Sequence, residues 1–172
     1  MHIRTLTARS TSLRANFTAF SFLICFLILG QYAVGATHEA SIERDQYGVP
    51  HIYGETDADA AFGLAYAQAE DSWPIMEGSL PFFRGTAGLY EGQEGAQSDY
   101  LVKWLDLWGT LDRDYERVLS PEIRRYVEAF AEGFNAFTRD NPSEVKHPEL
   151  LPITGKDTVS YTHLTLPTSR SV

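Results

Sequence analysis

The chain has 172 residues, with 23 acidic and 14 basic side chains and a formal net charge of −9. That length suffices for one domain with a hydrophobic core. Residues 1–36 hold three arginines and no acidic residue, so the rest of the chain carries a net charge of −12. Nucleic-acid and anionic-lipid surfaces need clustered Lys and Arg, and this composition argues against both as partners.

Residues 1–36 have the composition of a secretory signal peptide. A basic start is followed by an apolar run at 19–30 and by small residues suited to a signal peptidase at 34–36. The apolar run is too short to cross a bilayer comfortably. We therefore predict a cleaved signal, no stable membrane anchor, and a mature domain that begins near Thr37 in the bacterial periplasm or outside the cell. An uncleaved N-terminal anchor is the alternative. Cys25, the one cysteine, would leave with the signal, so the mature domain would contain no disulfide.

The stretch Glu43–Asp71 organises the predicted fold. Residues 40–44 and 49–53 suit two short strands, joined by a turn at Gln46-Tyr47-Gly48 where the glycine tolerates a positive φ. Pro50 has no N–H to donate, so the second strand is expected at a sheet edge or after that residue.

A long helix is predicted from Asp57, whose carboxylate suits the N-cap position. Apolar residues then recur at alternating spacings of four and three, which indicates one buried face. They are Phe62, Tyr66, Ala69, Trp73, Met76, Leu80 and Phe83. Pro74 predicts a kink near Ser72-Trp73, and Arg84-Gly85 predicts the end of the helix.

Two further helices are predicted downstream. Ser98-Asp99 suits the start of the second helix, after a loop at 91–97. Its apolar face would be formed by Leu101, Trp104, Leu105, Trp108 and Leu111. Ser120-Pro121 suits the start of the third helix, which Asn141-Pro142 ends. Gly133 lies inside this helix, where it costs about 1 kcal/mol relative to Ala, and it predicts a close backbone crossing.

The end of the sequence differs from the rest. Residues 160–172 contain no acidic residue, follow no helical stripe and resemble translated sequencing-adapter sequence. We expect the natural sequence to stop near Asp157–Val159, truncated rather than finished. The predicted division is a signal at 1–36, a partial domain at 37–157 and a non-native tail at 158–172.

The sequence contains polar residues of the types that act in catalysis or metal binding, but it contains no familiar active-site or ligand-binding motif. The candidates are His51, the pair Glu70-Asp71, the pair Asp57 and Asp59, His147 and His163. A strand histidine and a helical carboxylate pair suit a structural role as well as catalysis. The two aspartates at a helix start favour a cap over a cation site. The three histidines share no metal-ligand spacing. The residues by themselves therefore name no reaction.

Ordered motifs across residues 40–157 nevertheless resemble one known family. The first two are Arg44-Asp45-x-Tyr47-Gly48-Val49-Pro50-His51-Ile52 and Gly63-Leu64-Ala65-Tyr66-Ala67-x-Ala69-Glu70-Asp71. Three more follow in order, Met76-Glu77, Arg84-Gly85 and the run Tyr126–Ala136. The set is similar to the start of the α chain of the penicillin acylase family, which are N-terminal nucleophile hydrolases. Ser72 departs from the pattern, because many members have Arg after the Glu-Asp pair.

The resemblance implies an αββα fold for the whole enzyme. For this chain it implies an α+β fragment that is mostly helical, with a short N-terminal β-hairpin. It further implies a secreted precursor that cuts itself into α and β chains and hydrolyses N-acyl amides, either of the penicillin or cephalosporin type or acyl-homoserine lactones. The nucleophile would be the N-terminal Ser of the β chain, with its own α-amino group as base. The implied partners are that β chain and a small-molecule substrate.

No residue of this chain is then expected to be catalytic or to ligate a metal, and its substrate-binding residues stay unknown. The internal serines Ser72, Ser79, Ser98 and Ser120 have no free α-amino group. No cofactor is required, and the Ca²⁺ site known in some members would lie outside this fragment. The fragment is expected to be inactive by itself. A small secreted helical binding module that shares the motifs is the alternative function.

Overall fold

The computed structural model describes residues 38–165, with side chains described as far as residue 162. Within that range the chain forms one antiparallel hairpin, six α-helices and two 3₁₀ turns. The strands are β1 (Ala40–Arg44) and β2 (Pro50–Gly54). The helices are α1 (Asp57–Arg84), α2 (Gly88–Glu91), α3 (Gln93–Trp104), α4 (Leu107–Val118), α5 (Pro121–Asp140) and α6 (Gly155–Thr165), with 3₁₀ turns at Pro142–Glu144 and Pro148–Leu150. The predicted α+β class, mostly helical with an N-terminal hairpin, is confirmed.

The hairpin forms as predicted, with β2 beginning at Pro50 and Arg44 paired to it. The Asp45 carboxylate closes the turn by accepting the N–H groups of Tyr47 at 2.8 Å and Val49 at 3.0 Å. Val49 therefore belongs to the turn, which moves the start of β2 one residue beyond the predicted position. Gly48 has φ +82°, the left-handed conformation that a glycine adopts without strain.

The N-cap of helix α1 lies one residue earlier than predicted. Thr56, rather than Asp57, is the N-cap, and its hydroxyl accepts the N–H of Asp59 at 3.2 Å. The Asp59 carboxylate in turn accepts the N–H of Thr56 at 3.1 Å, which completes a capping box. The predicted kink is present, because Ser72 has non-helical torsions of φ −149° and ψ 23°. The helix ends at Arg84, with Gly85 at φ +67°.

The segment between α1 and α5 differs most from its prediction. The predicted loop at 91–97 is helical except at Gly92, and the expected start at Ser98-Asp99 lies inside α3. The Asp99 carboxylate instead accepts the N–H groups of Ala87 at 2.6 Å and Gly88 at 2.9 Å, so it caps the neighbouring turn rather than its own helix. Asp106, at φ +49°, then separates α3 from α4.

The apolar face predicted for this segment is divided by the break at Asp106. Leu111 is buried, and Trp108 donates its indole N–H to the carbonyl of Phe83 at 2.9 Å. Leu101, Trp104 and Leu105, by contrast, are exposed. A single continuous face for all five residues is therefore wrong.

The core lies between α1 and α5. Its buried members are Ala65, Ala69, Trp73, Leu80, Ala131, Phe134, Phe137, Leu150 and Ile153. Trp73 is 1% exposed and Phe134 is 3% exposed, and burial of such a side chain contributes about 1.5–3 kcal/mol. The Ser120 hydroxyl caps α5 as predicted, by accepting the N–H of Ile123 at 3.2 Å. The close crossing predicted from Gly133 is present, since a Cβ there would overlap the carbonyl of Phe62.

The predicted signal at 1–36 lies outside the described residues. In the part that is described, no helix is long and apolar enough to cross a membrane. Helix α6 continues through residues 158–165, so the first part of the predicted tail is helical although it carries no apolar stripe. Ser160 is fully buried and donates its hydroxyl to the carbonyl of Asp157 at 2.7 Å. The non-native origin of the tail stays a prediction.

Candidate functional site

The carboxylate pair Glu70-Asp71 lies at the junction of the hairpin and α1. Arg44, the last residue of β1, reaches Glu70 at 2.9 Å and Asp71 at 2.9 Å through its Nη2 atom. The same guanidinium donates to the carbonyls of Gly48 at 3.0 Å and Ala67 at 3.4 Å. Both carboxylates therefore neutralise one arginine that joins the strand to the helix, and this geometry gives them a scaffold role.

His51 lies on the exposed face of the hairpin. Its Nε2 is 3.5 Å from the Oδ2 atom of Asp45, and both side chains are partly in solvent. Hydrogen bonds from the N–H groups of Tyr47 and Val49 hold the pKa of Asp45 below its ordinary value, with a smaller contribution from His51. The Asp45 carboxylate thus serves the hairpin turn as a hydrogen-bond acceptor and contacts His51 only from its other oxygen.

The two aspartates at the start of α1 serve different partners. Asp59 belongs to the capping box and also binds the Nδ1 atom of His38 at 3.1 Å. Asp57 accepts the hydroxyl of Tyr126 at 3.3 Å. Among residues 38–162, no group of three or more His, Cys, Asp and Glu side chains is placed to hold a metal ion.

The remaining candidates are also dispersed. His147 contacts Glu149 at 3.2 Å and packs edge-on against the ring of Tyr90. The side chain of His163 lies outside the described part of the chain.

The four internal serines have structural roles or lie within helices. Ser79 donates to the carbonyl of Met76 at 2.8 Å, as expected of a helical serine. Ser72 forms the kink of α1, Ser120 caps α5, and Ser98 lies within α3. None of the four is a chain terminus, so none has the free α-amino group of an N-terminal nucleophile.

An apolar groove, named here the α1–α5 groove, lies on the described part of the chain. It has a volume of about 770 Å³ and lies between the second half of α1, the first half of α5, and α6. Its apolar lining includes Ile75, Met76, Leu80, Phe83, Val127, Phe130 and Phe134. Ile75 is 74% exposed, so the groove opens to the surface there.

A buried ion pair borders the α1–α5 groove. Arg84 at the end of α1 binds Asp157 of α6 through two bonds, Nε to Oδ1 at 2.7 Å and Nη2 to Oδ2 at 3.1 Å. It also donates to the carbonyl of Leu150 at 2.8 Å. Burial by itself would raise the pKa of the Asp157 carboxyl, but hydrogen bonds from Arg84 and Thr154 outweigh it and hold that pKa below its ordinary value. The pair fixes α6 and the preceding loop against α1.

Two buried polar side chains hold the segment between α5 and α6. Glu77 is 2% exposed, and its Oε1 atom accepts the N–H groups of Lys146 and His147, each at 2.8 Å. Asn135 exchanges two bonds of 2.8 Å with the backbone of Ile153. The sequence reasoning assigned no role to either residue. The available signal was a polar residue placed among core positions, where an unpaired polar group would be costly.

Comparison with known proteins decides the family. The family model described as penicillin amidase matches residues 39–166, which is nearly all of the described chain. The chain belongs to the penicillin amidase family. Its motifs, from the hairpin to the run on α5, therefore mark membership of that family, as the resemblance predicted.

Relatives of two kinds share this part of the penicillin amidase family. The chain is 33% identical to the penicillin acylase 2 proenzyme of Pseudomonas sp. strain SE83, over 60% of this chain and 13% of that protein. It is 28% identical to the acyl-homoserine lactone acylase PvdQ of Pseudomonas savastanoi pv. phaseolicola, over 69% of this chain and 16% of that protein. It is 29% identical to the penicillin G acylase of Escherichia coli, over 67% of this chain and 14% of that protein. The match thus spans about a seventh of each curated relative.

A solved structure shares the fold. The thermostable penicillin G acylase of Alcaligenes faecalis superimposes with a TM-score of 0.62 and 25% identity, covering 74% of this chain and 71% of the compared chain. The likeness therefore extends over most of the chain rather than over the hairpin alone.

Proposed function

We propose that this chain is the N-terminal part of a secreted acylase precursor that hydrolyses the amide bond of N-acyl substrates. The observation that carries the proposal is the penicillin amidase match over residues 39–166, in a chain whose matched part spans only 13–16% of acylase relatives. The geometry of residues 38–162 agrees with a scaffold role, because the polar candidates are engaged in caps and ion pairs.

The chemistry is assigned to a β chain released from the same precursor. Its N-terminal Ser attacks the carbonyl carbon of the substrate amide, and its own α-amino group takes the proton from the hydroxyl. The amine leaves with a proton, and water then hydrolyses the acyl-enzyme to free the carboxylic acid. Donors in the β chain hold the oxyanion during both steps. The contribution of the present chain is to pack against that β chain.

Two classes of N-acyl amide remain as candidate substrates. Relatives named as penicillin acylases and relatives named as acyl-homoserine lactone acylases match at similar identities, 33% and 28%. The similarity therefore supports hydrolysis of an N-acyl amide without a preference for either acyl group. The proposed location is the periplasm or the cell exterior, which rests on the composition of residues 1–36.

The first test extends the gene beyond the codon for Asp157. An open frame of several hundred further codons, with a Ser at a processing junction, is the expected result. A natural stop codon near residue 160 would instead favour the small secreted binding module.

The second test assays the complete precursor on phenylacetyl amides and on long-chain acyl-homoserine lactones. Hydrolysis of at least one class is expected, with release of the free acid. Replacing the first Ser of the β chain by Ala should abolish it and serves as the control. The 172-residue chain should hydrolyse neither class. Activity in that chain, or inactivity of the processed precursor on both classes, would refute the proposal.

A further inference from the structure

Another cavity, named here the Tyr115 pocket, lies between α4, α5 and the start of α6. It has a volume of about 510 Å³. Its polar lining includes Tyr115 of α4, Glu128 and Glu132 of α5, and Thr154 and Lys156 at the start of α6. All of its lining residues precede the predicted tail, so the pocket belongs to the part of the chain that we expect to be natural.

The wall of the pocket that α6 contributes is fixed by contacts made before the predicted tail. Asp157 binds the Nε atom of Arg84 at 2.7 Å and accepts the N–H of Thr154 at 2.8 Å. Lys156 reaches Asp112 of α4 through its Nζ atom at 2.7 Å. These bonds hold the first turn of α6 against α1 and α4.

The hydroxyl of Tyr115 is buried and forms no hydrogen bond with any residue that the structure describes. Tyr115 as a whole is 8% exposed. Other tyrosine hydroxyls donate to a carboxylate, as Tyr66 does to Asp140 at 3.1 Å and Tyr126 does to Glu122 at 2.7 Å. Buried polar groups are normally hydrogen-bonded, so a buried hydroxyl without a protein partner points to a bound species.

Tyr115 and Glu128 converge on Gly155, the first residue of α6. A Cβ at position 155 would overlap the Tyr115 hydroxyl and would lie 3.2 Å from the Cγ atom of Glu128. Within residues 38–162 the Glu128 carboxylate nevertheless forms no hydrogen bond or ion pair. All three residues line the pocket, which therefore brings an unpaired carboxylate and an unpaired hydroxyl to one glycine.

The charges of the pocket favour a cation. Glu128 and Glu132 lie four residues apart on α5, so their carboxylates are neighbours on one helix face and repel each other. Glu132 is paired with Arg139 at 2.7 Å, and Lys156 is already paired with Asp112. The surrounding chain is acidic and concentrates cations near its surface. An anion would meet both glutamates.

A primary ammonium group fits this arrangement better than a metal ion does. The lining contains two carboxylates and no His or Cys, which is fewer ligands than a protein metal site normally uses. An ammonium group carries three N–H donors, and the Glu128 carboxylate and the Tyr115 oxygen are acceptors for them. Burial raises the pKa of Tyr115, and Glu128 adds to that rise, so the hydroxyl stays neutral.

We propose that the Tyr115 pocket binds a small primary amine, whose ammonium group lies between the Glu128 carboxylate and the Tyr115 hydroxyl beside Gly155. The volume of the pocket is within the range of about 300–1,000 Å³ that is common for small-molecule sites. The site is separate from the proposed hydrolysis, because none of these residues belongs to the chemistry assigned to the β chain.

The test is a nuclear magnetic resonance titration of the full 172-residue chain with ethylammonium chloride, read at the amide of Gly155. Tetramethylammonium chloride is the matched probe, because it carries the same charge without an N–H donor. Ethylammonium should shift the Gly155 amide along a saturating curve with half-saturation at about 10 mM, the affinity of a few charge-assisted hydrogen bonds. Tetramethylammonium should give only the small linear shift of a screening salt.

Two variants test the assigned contacts. Glu128→Gln should weaken ethylammonium binding by about tenfold or more, because the charged acceptor is lost. Its control is Glu116→Gln, an exposed change on α4 outside the lining, which should leave binding unchanged. Tyr115→Phe removes only the hydroxyl and should weaken binding by about threefold or more. Its stability in urea should equal that of the wild type, because the hydroxyl has no protein partner to lose. Tyr100→Phe, at a position that is 72% exposed, is the control.

Three results would overturn the proposal. The absence of a saturating shift up to about 100 mM ethylammonium would assign the Tyr115 hydroxyl to solvent. An equal response to tetramethylammonium would reduce the effect to charge screening by an acidic surface. Wild-type affinity in Glu128→Gln, or an equal loss in Glu116→Gln, would remove the carboxylate from the site. Circular dichroism of each variant shows that it is folded, so a loss of binding cannot be attributed to unfolding.

Discussion

Replacement of Arg84 by Met tests whether the buried ion pair with Asp157 holds α6 to α1. Asp157 is 5% exposed, and Arg84 supplies two of its hydrogen bonds, at 2.7 and 3.1 Å. Met retains much of the aliphatic length of Arg but removes the guanidinium. The variant therefore leaves a buried carboxylate without its cation and leaves the carbonyl of Leu150 without this donor.

The expected loss is about 3 kcal/mol in the free energy of unfolding. Removal of one member of a buried pair typically costs 3–5 kcal/mol, since the other charge stays desolvated and unpaired. The lower end applies because the Arg84 side chain is 22% exposed and because Thr154 still donates to Asp157. The matched control is Arg113→Met, which breaks an exposed pair with Asp106 and should cost less than about 1 kcal/mol.

Urea unfolding followed by far-UV circular dichroism measures both variants. The double variant Arg84→Met/Asp157→Asn should lose less stability than the sum of its single changes, by about 1–3 kcal/mol, because the second change removes the stranded charge. A loss for Arg84→Met no larger than that for Arg113→Met would refute the structural role. Strict additivity in the double variant would refute the direct coupling.

The same ion pair predicts a pH dependence. The pKa of Asp157 in the folded chain lies below its ordinary value of 3.8, so the unfolded chain binds this proton more tightly. The associated stabilisation is complete above that ordinary value and is lost as the pH falls through the folded-state pKa. Wild type and Asp157→Asn should therefore converge in stability as the pH decreases below about 4. A stability difference that stays constant from pH 7 to pH 3 would contradict the lowered pKa.

Three further changes test the packing around α1 and α5, each by urea unfolding. Gly133→Ala should destabilise the chain by about 2 kcal/mol, because the added Cβ would overlap an α1 carbonyl. The control Gly78→Ala has open space around its Cβ and should stabilise the chain by about 0.5–1 kcal/mol. Equal effects of the two changes would exclude the close crossing. Asn135→Ala should cost about 2–3 kcal/mol, since it strands the buried N–H and C=O of Ile153; a neutral change would show that water replaces the side chain. Thr56→Ala should cost about 1 kcal/mol through loss of the capping box, and no loss would place the cap elsewhere.

The helices that were predicted correctly have strong local signals. In α1 the apolar stripe from Phe62 to Phe83 repeats over many turns, and the core of the structure contains its central members. In α5 a serine cap and a proline in the first turn predict the N-terminal end, and a terminal Asn-Pro predicts the C-terminal end. Periodicity and capping are properties of neighbouring residues, so they can be interpreted without knowledge of the fold.

Several of the errors occur where a residue serves a distant partner or where the backbone turns unexpectedly. Asp99 has the chemistry of an N-cap, yet it caps Ala87 and Gly88, which lie across the bend between α1 and α3. Asp106 adopts φ +49° and divides a segment whose apolar pattern looked continuous. Glu77 and Asn135 bond to backbone atoms tens of residues away or across a loop. Local propensity carries no information on these contacts, which exist only once the helices are packed.

The family motifs occupy contacts inside this chain. Arg44 joins the hairpin to the carboxylates at Glu70-Asp71, and Gly63 admits the side chains of β1 and β2 against α1. Arg84 fixes α6, while Gly133 permits the crossing of α5. These residues determine how the helices pack, and none of these contacts is with a substrate. The penicillin amidase match therefore reports a shared scaffold, which explains why penicillin acylases and acyl-homoserine lactone acylases match it at similar identity. The contacts that these motif residues make inside the chain therefore carry no preference between the two acyl groups.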